Sequence, residues 1–327
     1  MELLVIGGTQ FVGRAIVENA AARGYDVTVF HRGESEPHDL PAVQHLHGDR
    51  DADLSALAGR TWDEVVDVCA YIPGQVRALA EALEPPRHYT LISSLSVHDE
   101  DLPAGGNEDS PLLPIPAPDV TEVTDETYGP LEVACELAAR EVFAGCCIIR
   151  PGYVVGAHDT SGRFTSWIRR AAAGGAMLAP GSPEEPMQFI DARDLAEFTL
   201  DRAAARDDGV YGVVRPVGDA TTSSVLDAAI AVSASDTELV WVDAGFLVSA
   251  LGDDIGAALP MWHPQFHGSH RYDPSRAIAA GLRCRPLAQT VADVYAWDRD
   301  QGGVPLQAGL TQERELELLQ LWAGAKG

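Results

Sequence analysis

The segment Gly7-Gly8-Thr9-Gln10-Phe11-Val12-Gly13 constrains the fold of this chain more than any other, because it separates a short apolar run from an amphipathic one. Residues 2–6 read as a buried strand, residues 11–23 as a helix and residues 26–30 as a second apolar strand. Together they make one strand–helix–strand unit. Glycines at that junction let backbone N–H groups and the positive helix terminus approach a pyrophosphate. The expected contacts are Gly7, Gly8, Thr9, Gln10, Phe11, Val12 and Gly13. Gln10 takes the central position of a G-x-x-G-x-x-G pattern, where its side chain threatens to crowd the phosphates.

The alternation continues, with strands expected near 43–47, 64–68, 88–93 and 146–150 and helices over 73–83 and 128–143. Regular alternation predicts an α/β fold of Rossmann type, a doubly wound parallel sheet with a smaller C-terminal substrate lobe. Residues 1–150 form the nucleotide-binding domain in this reading. Residues 151–327 form mainly the substrate lobe, with a helix near 163–173, a strand near 188–190, and segments of about 186–215 returning to the sheet. Between them, residues 95–127 are rich in Pro, Gly, Asp and Glu and long for a plain connection, so they are expected to border a site.

Charge narrows the partners. Lys and Arg number 23 against 49 Asp and Glu, a formal charge of −26 that repels phosphate backbones and anionic lipid surfaces. The expected partner is therefore a small molecule rather than nucleic acid or a membrane. The N-terminus lacks a basic region, a cleavage site and a long apolar run, which reads as cytoplasmic. Five cysteines, an odd number without C-x-x-C spacing, read as free thiols, and no metal is expected.

The second strand ends Phe30-His31-Arg32-Gly33. Enzymes selective for NAD place an acid there to bind the ribose 2′-OH, whereas a cation suits a 2′-phosphate. NADP(H) is therefore expected in preference to NAD(H), with Arg32 and His31 as contacts. Ser94 ends the strand of residues 88–93 and Tyr128 opens the helix after the long loop, so both project from the carboxyl edge of the sheet toward one crevice. Glu132 follows Tyr128 by one helical turn and faces the same side.

Nearly the whole chain resembles an atypical extended short-chain dehydrogenase/reductase of the NAD-dependent epimerase/dehydratase superfamily. The segments that carry the likeness are the glycine turn, Gly48-Asp49-Arg50, Leu91-Ile92-Ser93-Ser94, Tyr128-Gly129-Pro130-Leu131, Arg150-Pro151-Gly152-Tyr153, Phe189-Ile190-Asp191-Ala192-Arg193-Asp194 and Arg285-Pro286-Leu287. The bulky residue at Gln10 is similar to that of a subgroup of uncharacterised bacterial reductases and chloroplast stem-loop-binding proteins. The resemblance implies that Asp49 hydrogen-bonds the adenine, with Arg50 beside it. It also implies that the turn through Cys69 and Ala70 passes beneath the adenosine ribose, and that Pro151 and Tyr153 pack near the nicotinamide amide. It implies a serine and a tyrosine, Ser94 and Tyr128, that polarise a carbonyl and exchange its proton. Relatives often dimerise, so a homodimer is a further expectation.

Against that pattern, Glu132 stands where the family's Tyr-x-x-x-Lys pair carries lysine, and the chain's single lysine is Lys326. A carboxylate there raises the tyrosine pKa instead of lowering it. Three readings stay open: a neutral Tyr128 that donates a proton in carbonyl or imine reduction while Glu132 binds ribose hydroxyls; an epimerase or dehydratase with its base moved to His98, Asp99, Glu122, Asp125, His158 or Asp159; and a nucleotide-binding sensor or scaffold without catalysis. Ser96, His98, His158 and Arg163 are candidate substrate contacts. Trp262 and Phe266, in a loop rich in aromatics and histidines, suggest a pocket wall or lid for a small, largely apolar or aromatic substrate, such as a carbonyl or imine of secondary metabolism.

Overall fold

A computed structural model describes residues 1–262, 264, 268, 270–303 and 305–325. Its first half alternates strand and helix: β1 (Glu2–Ile6), α1 (Phe11–Ala22), β2 (Asp26–His31), β3 (Gln44–His47), β4 (Glu64–Asp67), α2 (Pro73–Ala82), β5 (His88–Ile92), α3 (Asp125–Val142) and β6 (Cys146–Pro151). The second half holds β7 (Val154–Val155), α4 (Arg163–Ala172), β8 (Ala176–Pro180), β9 (Ile190–Asp191), α5 (Ala192–Ala205), β10 (Val210–Val213), α6 (Thr222–Ser233), β11 (Glu238–Val242), α7 (Ala244–Leu251), α8 (Ile255–Ala258), α9 (Ser275–Ala279), α10 (Leu287–Asp300) and α11 (Gln312–Ala325).

Seven strands pair in parallel in the order β10-β6-β5-β4-β1-β2-β3. Successive side chains of a strand point to opposite faces, so β1 contributes Leu3 and Val5 to the core under α1 and α5, and Leu4 and Ile6 to the core on the other face. Both faces are buried, which is why β1 runs apolar from Leu3 to Ile6 instead of alternating. The chain winds outward in opposite directions from β1 and β4, and their carboxyl ends open the crevice where such sheets bind ligands.

The lobe has its own core of Phe164, Trp167, Ile168, Phe189, Leu226, Trp262 and neighbours. Within the stretch of about 186–215 expected to rejoin the sheet, Val210–Val213 does so beside β6. Residues 190–191 do not. They pair with Val154–Val155 in a separate two-stranded ribbon. No helix among the described residues is long and apolar enough to cross a membrane.

Candidate active site

A crevice of about 1200 Å³ runs from the β2 end, over the glycine turn, to the tip of β6 and the lobe. The glycine turn is shaped by contacts that tolerate no side chain. Gly7 has a left-handed φ of +85°, and a Cβ on Gly13 would stand 2.1 Å from the Gly7 carbonyl oxygen. Gly7 and Thr9 to Gly13 line the crevice, whereas Gly8 packs inward against Val17 and Val29. Gln10 does not crowd the turn. Its Nε2 donates to Ser35 Oγ at 3.0 Å, and that hydroxyl is 3.3 Å from Thr9 Oγ1, so the side chain lies across to the loop after β2. Phe11, at φ 36°, takes up the backbone strain where α1 begins.

At the β2 end the expected cations divide. Arg32 is exposed and pairs with Glu34 at 3.0 Å. His31 borders the crevice, but its ring nitrogens are committed elsewhere: the Gly33 N–H donates to Nδ1, which leaves the proton on Nε2, 2.9 Å from His45 Nδ1. Burial and then the neighbouring His45 hold its pKa down, so the ring is neutral and Arg32 is left as the cation at this end. The cause is a short-range pattern that reading strand ends alone did not expose. His45 and His47 fall on one face of β3, His31 pairs with His47 across the strands, and Glu36 caps the group with its Oε1 2.5 Å from His47 Nε2.

Asp49, Cys69 and Ala70, the residues expected at the adenosine, line the crevice. Arg50 borders it too, but its guanidinium turns inward in a two-point pair with Asp67, whose side chain is fully buried and also accepts from Tyr89. Arg50 therefore shapes the wall rather than presenting a free charge. The Cys69 thiol is pushed up to about 11 by burial and by Asp67, which leaves it un-ionised.

Ser94, Tyr128 and Glu132 come together beside Pro151 and Tyr153. Strand alternation separates the two serines: Ser93 Oγ is buried and donates to Glu136, whereas Ser94 Oγ donates to Ser96 Oγ at 3.0 Å on the crevice side. Tyr128 is placed by a close approach, since a Cβ on Gly129 would stand 2.1 Å from the Ser96 carbonyl oxygen. Thr124 caps the helix and lets it start within a few residues of the tyrosine. Burial first and Glu132 second drive the Tyr128 pKa far up, with Ser94 pulling the other way. Glu132 is 3% exposed, its Oε2 has no hydrogen-bond partner, and burial followed by the charge of Glu136 raises it to about 8. Beneath it Glu136 is held by both arms of Arg150 at 2.6 and 2.7 Å.

Other expected contacts scatter. Ser96 and Arg163 line the crevice. His98 lines it but is buried, donating from Nδ1 to the Pro111 carbonyl, and burial lowers its pKa; it is a neutral prop under Arg150. His158 lies away from the crevice in a left-handed turn at φ 69°, against Trp297. Trp262 is not a lid: it is 3% exposed in the lobe core, with Nε1–H donating to Glu185. Phe266, with His263 and His267, lies outside the described residues. Of the proposed alternative bases, Asp99 reaches the crevice, whereas Asp159 is buried on Ser161. Tyr71, Gln188 and Tyr272 also line the site. Tyr71, next after Ala70, was legible as a neighbour of the turn expected beneath the ribose; the other two come from strands and loops joined only in three dimensions.

A glycine turn that leaves its backbone open, and a crevice that continues from an exposed arginine to a serine–tyrosine pair, fit a nicotinamide dinucleotide lying across the carboxyl edge of the sheet. This is the fold of NAD(P)-binding epimerases and short-chain dehydrogenase/reductase-type enzymes. The human epimerase family protein SDR39U1, solved with NADPH, matches with a TM-score of 0.62 and 21% identity over 90% of this chain and 99% of that one. The Bordetella bronchiseptica enzyme WbmH, solved with NAD+, matches at 0.66 and 18% identity over 92% and 100%. UDP-N-acetylglucosamine 4-epimerase from Bacillus cereus matches at 0.64 and 16% over 91% and 99%. In sequence, the chloroplast stem-loop binding protein of 41 kDa b from Arabidopsis thaliana is 28% identical over 215 residues, 61% of this chain and 54% of that protein, so the match spans about half of the relative's length. No family model matches the chain.

Proposed function

We propose that this chain is an NADP(H)-dependent reductase of a small carbonyl or imine compound, with Tyr128 as the neutral proton donor. The observation that carries the reading is the Glu132 carboxyl, buried beside Tyr128 with an unpartnered oxygen and a pKa raised to about 8, which keeps it protonated at neutral pH. When bound, the nicotinamide supplies a hydride to the substrate carbon. Ser94 Oγ–H and Tyr128 Oη–H donate to the substrate oxygen or nitrogen, which gains negative charge as the hydride arrives. As Tyr128 gives up its proton it takes the one on Glu132. The proton deficit thus comes to rest on a carboxylate, the weaker base of the two, rather than on a phenolate. Solvent then reprotonates Glu132. Below about pH 8 the protonated Glu132 cannot draw a proton back through Tyr128, which disfavours the oxidative step at neutral pH and so supports reduction over an epimerase cycle.

Arg32, exposed at the β2 end, supports NADP(H) over NAD(H). The charge of −26 speaks against carrying over the stem-loop binding in the relative's name. The test is calorimetric titration with NADPH and NADH, then NADPH oxidation against carbonyls and imines across pH. The expected result is tighter NADPH binding and a kcat that falls as pH rises through about 8, a fall absent in Glu132→Gln. Nicotinamide binding without turnover of any compound would favour the sensor reading; no binding would remove both.

A further inference from the structure

Arginines border the crevice at Arg32, Arg50 and Arg163, and the first two already face carboxylates: Arg32 pairs with Glu34 and Arg50 with Asp67. Arg163 makes no ion pair among the described residues, its Nε going to a hydroxyl instead, in a chain where 49 acids face 23 basic residues. It is nonetheless built into place. It opens α4, its Nε donates to Ser161 Oγ at 3.1 Å, and Ser161 donates in turn to the buried Asp159. Its guanidinium carbon lies 5.3 Å from the Tyr153 ring centre, a cation–π contact that holds the planar group beside the nicotinamide end of the crevice. Nε is thereby used, and the two terminal nitrogens, the pair that grips a carboxylate at two points, have no hydrogen-bond partner among the described residues. The N-terminus of the ten-residue helix α4 adds positive potential at the same place.

We propose that Arg163 is the anion clamp of the site, and that the substrate carries one carboxylate near its reducible carbonyl or imine. This rests on the reductase reading and names its substrate class. A single negative charge fits better than a diphosphate, because Asp99 and Glu100 line the same end and Glu100 is near enough to act on Tyr153. A doubly charged group would meet both acids.

The test uses the full chain saturated with NADPH and a matched set of three compounds: an aromatic 2-oxo acid, its methyl ester and the corresponding oxo-phosphonate. Calorimetry reads binding, and NADPH oxidation reads kcat/KM. The clamp predicts that wild type prefers the acid over the ester by about ten- to a hundredfold, as a two-point charged hydrogen bond allows. Arg163→Met collapses that ratio and Arg163→Lys keeps part of it. Equal use or equal binding of acid and ester by wild type, or a ratio unmoved in Arg163→Met, overturns the clamp. Tighter binding of the phosphonate would overturn the single-charge assignment. Carboxylate binding that depends on Arg163 without turnover would leave the clamp and sink the reductase reading, so the two fail separately.

Discussion

Glu132 illustrates how one side chain can reverse the electrostatics of a site while leaving its geometry intact. Its carboxyl is about 8 when folded, against an ordinary 4.5. Between those values the folded chain holds a proton that the unfolded chain has lost, so stability falls as pH rises through that window, by up to about 1.4 kcal/mol per unit. Urea unfolding at pH 5, 7 and 9 should therefore show Glu132→Gln gaining on wild type as pH rises, with no advantage at pH 5. A constant difference across pH would mean that the carboxyl is ionised in the fold. Glu136→Ala tests the charge beneath. It leaves Arg150 buried and unpaired and should cost about 3–5 kcal/mol by the same measurement. The place of Glu132 one turn after Tyr128 was legible in sequence, and so was its upward pressure on the tyrosine. Its own neutrality was not, because that depends on Glu136 and on burial, which tertiary packing supplies.

Whole elements place these groups, and the glycines mark where elements meet most closely. Gly13→Ala forces a methyl against the Gly7 carbonyl and should abolish NADPH binding by calorimetry while lowering the thermal midpoint. Gly129→Ala pushes α3 from the Ser96 carbonyl and parts Tyr128 from Ser94; kcat should drop about a hundredfold or more with NADPH affinity retained, as expected when a proton donor is misplaced. Strand and helix assignments in the first half fell within a few residues of the observed bounds, because period-2 and period-3.6 patterns are local. The β9 assignment failed for the opposite reason. A two-residue strand has almost no pattern of its own, and whether it joins the sheet or a ribbon is decided by where its partner strand goes.

For the molecule as a whole, the division into sheet and lobe bears on what can be altered safely. Trp262 belongs to the lobe core, so Trp262→Ala should destabilise by about 3–5 kcal/mol in urea while leaving the NADPH dissociation constant of the folded fraction within about twofold. A large change in affinity with little loss of stability would restore it to the pocket wall. The sequence by itself determined the parallel sheet, the glycine turn, Arg32 at the β2 end and the row Ser94, Tyr128, Glu132, since each follows from local periodicity or from position at the carboxyl end of a strand. Only the tertiary structure decided that His31 and Arg50 serve their neighbours, that His158 and Trp262 leave the site, and that Arg163 meets no acid within ion-pairing reach among the described residues. A side chain's partners in space are chosen by packing between segments far apart in the chain, and spacing along one segment carries no record of them.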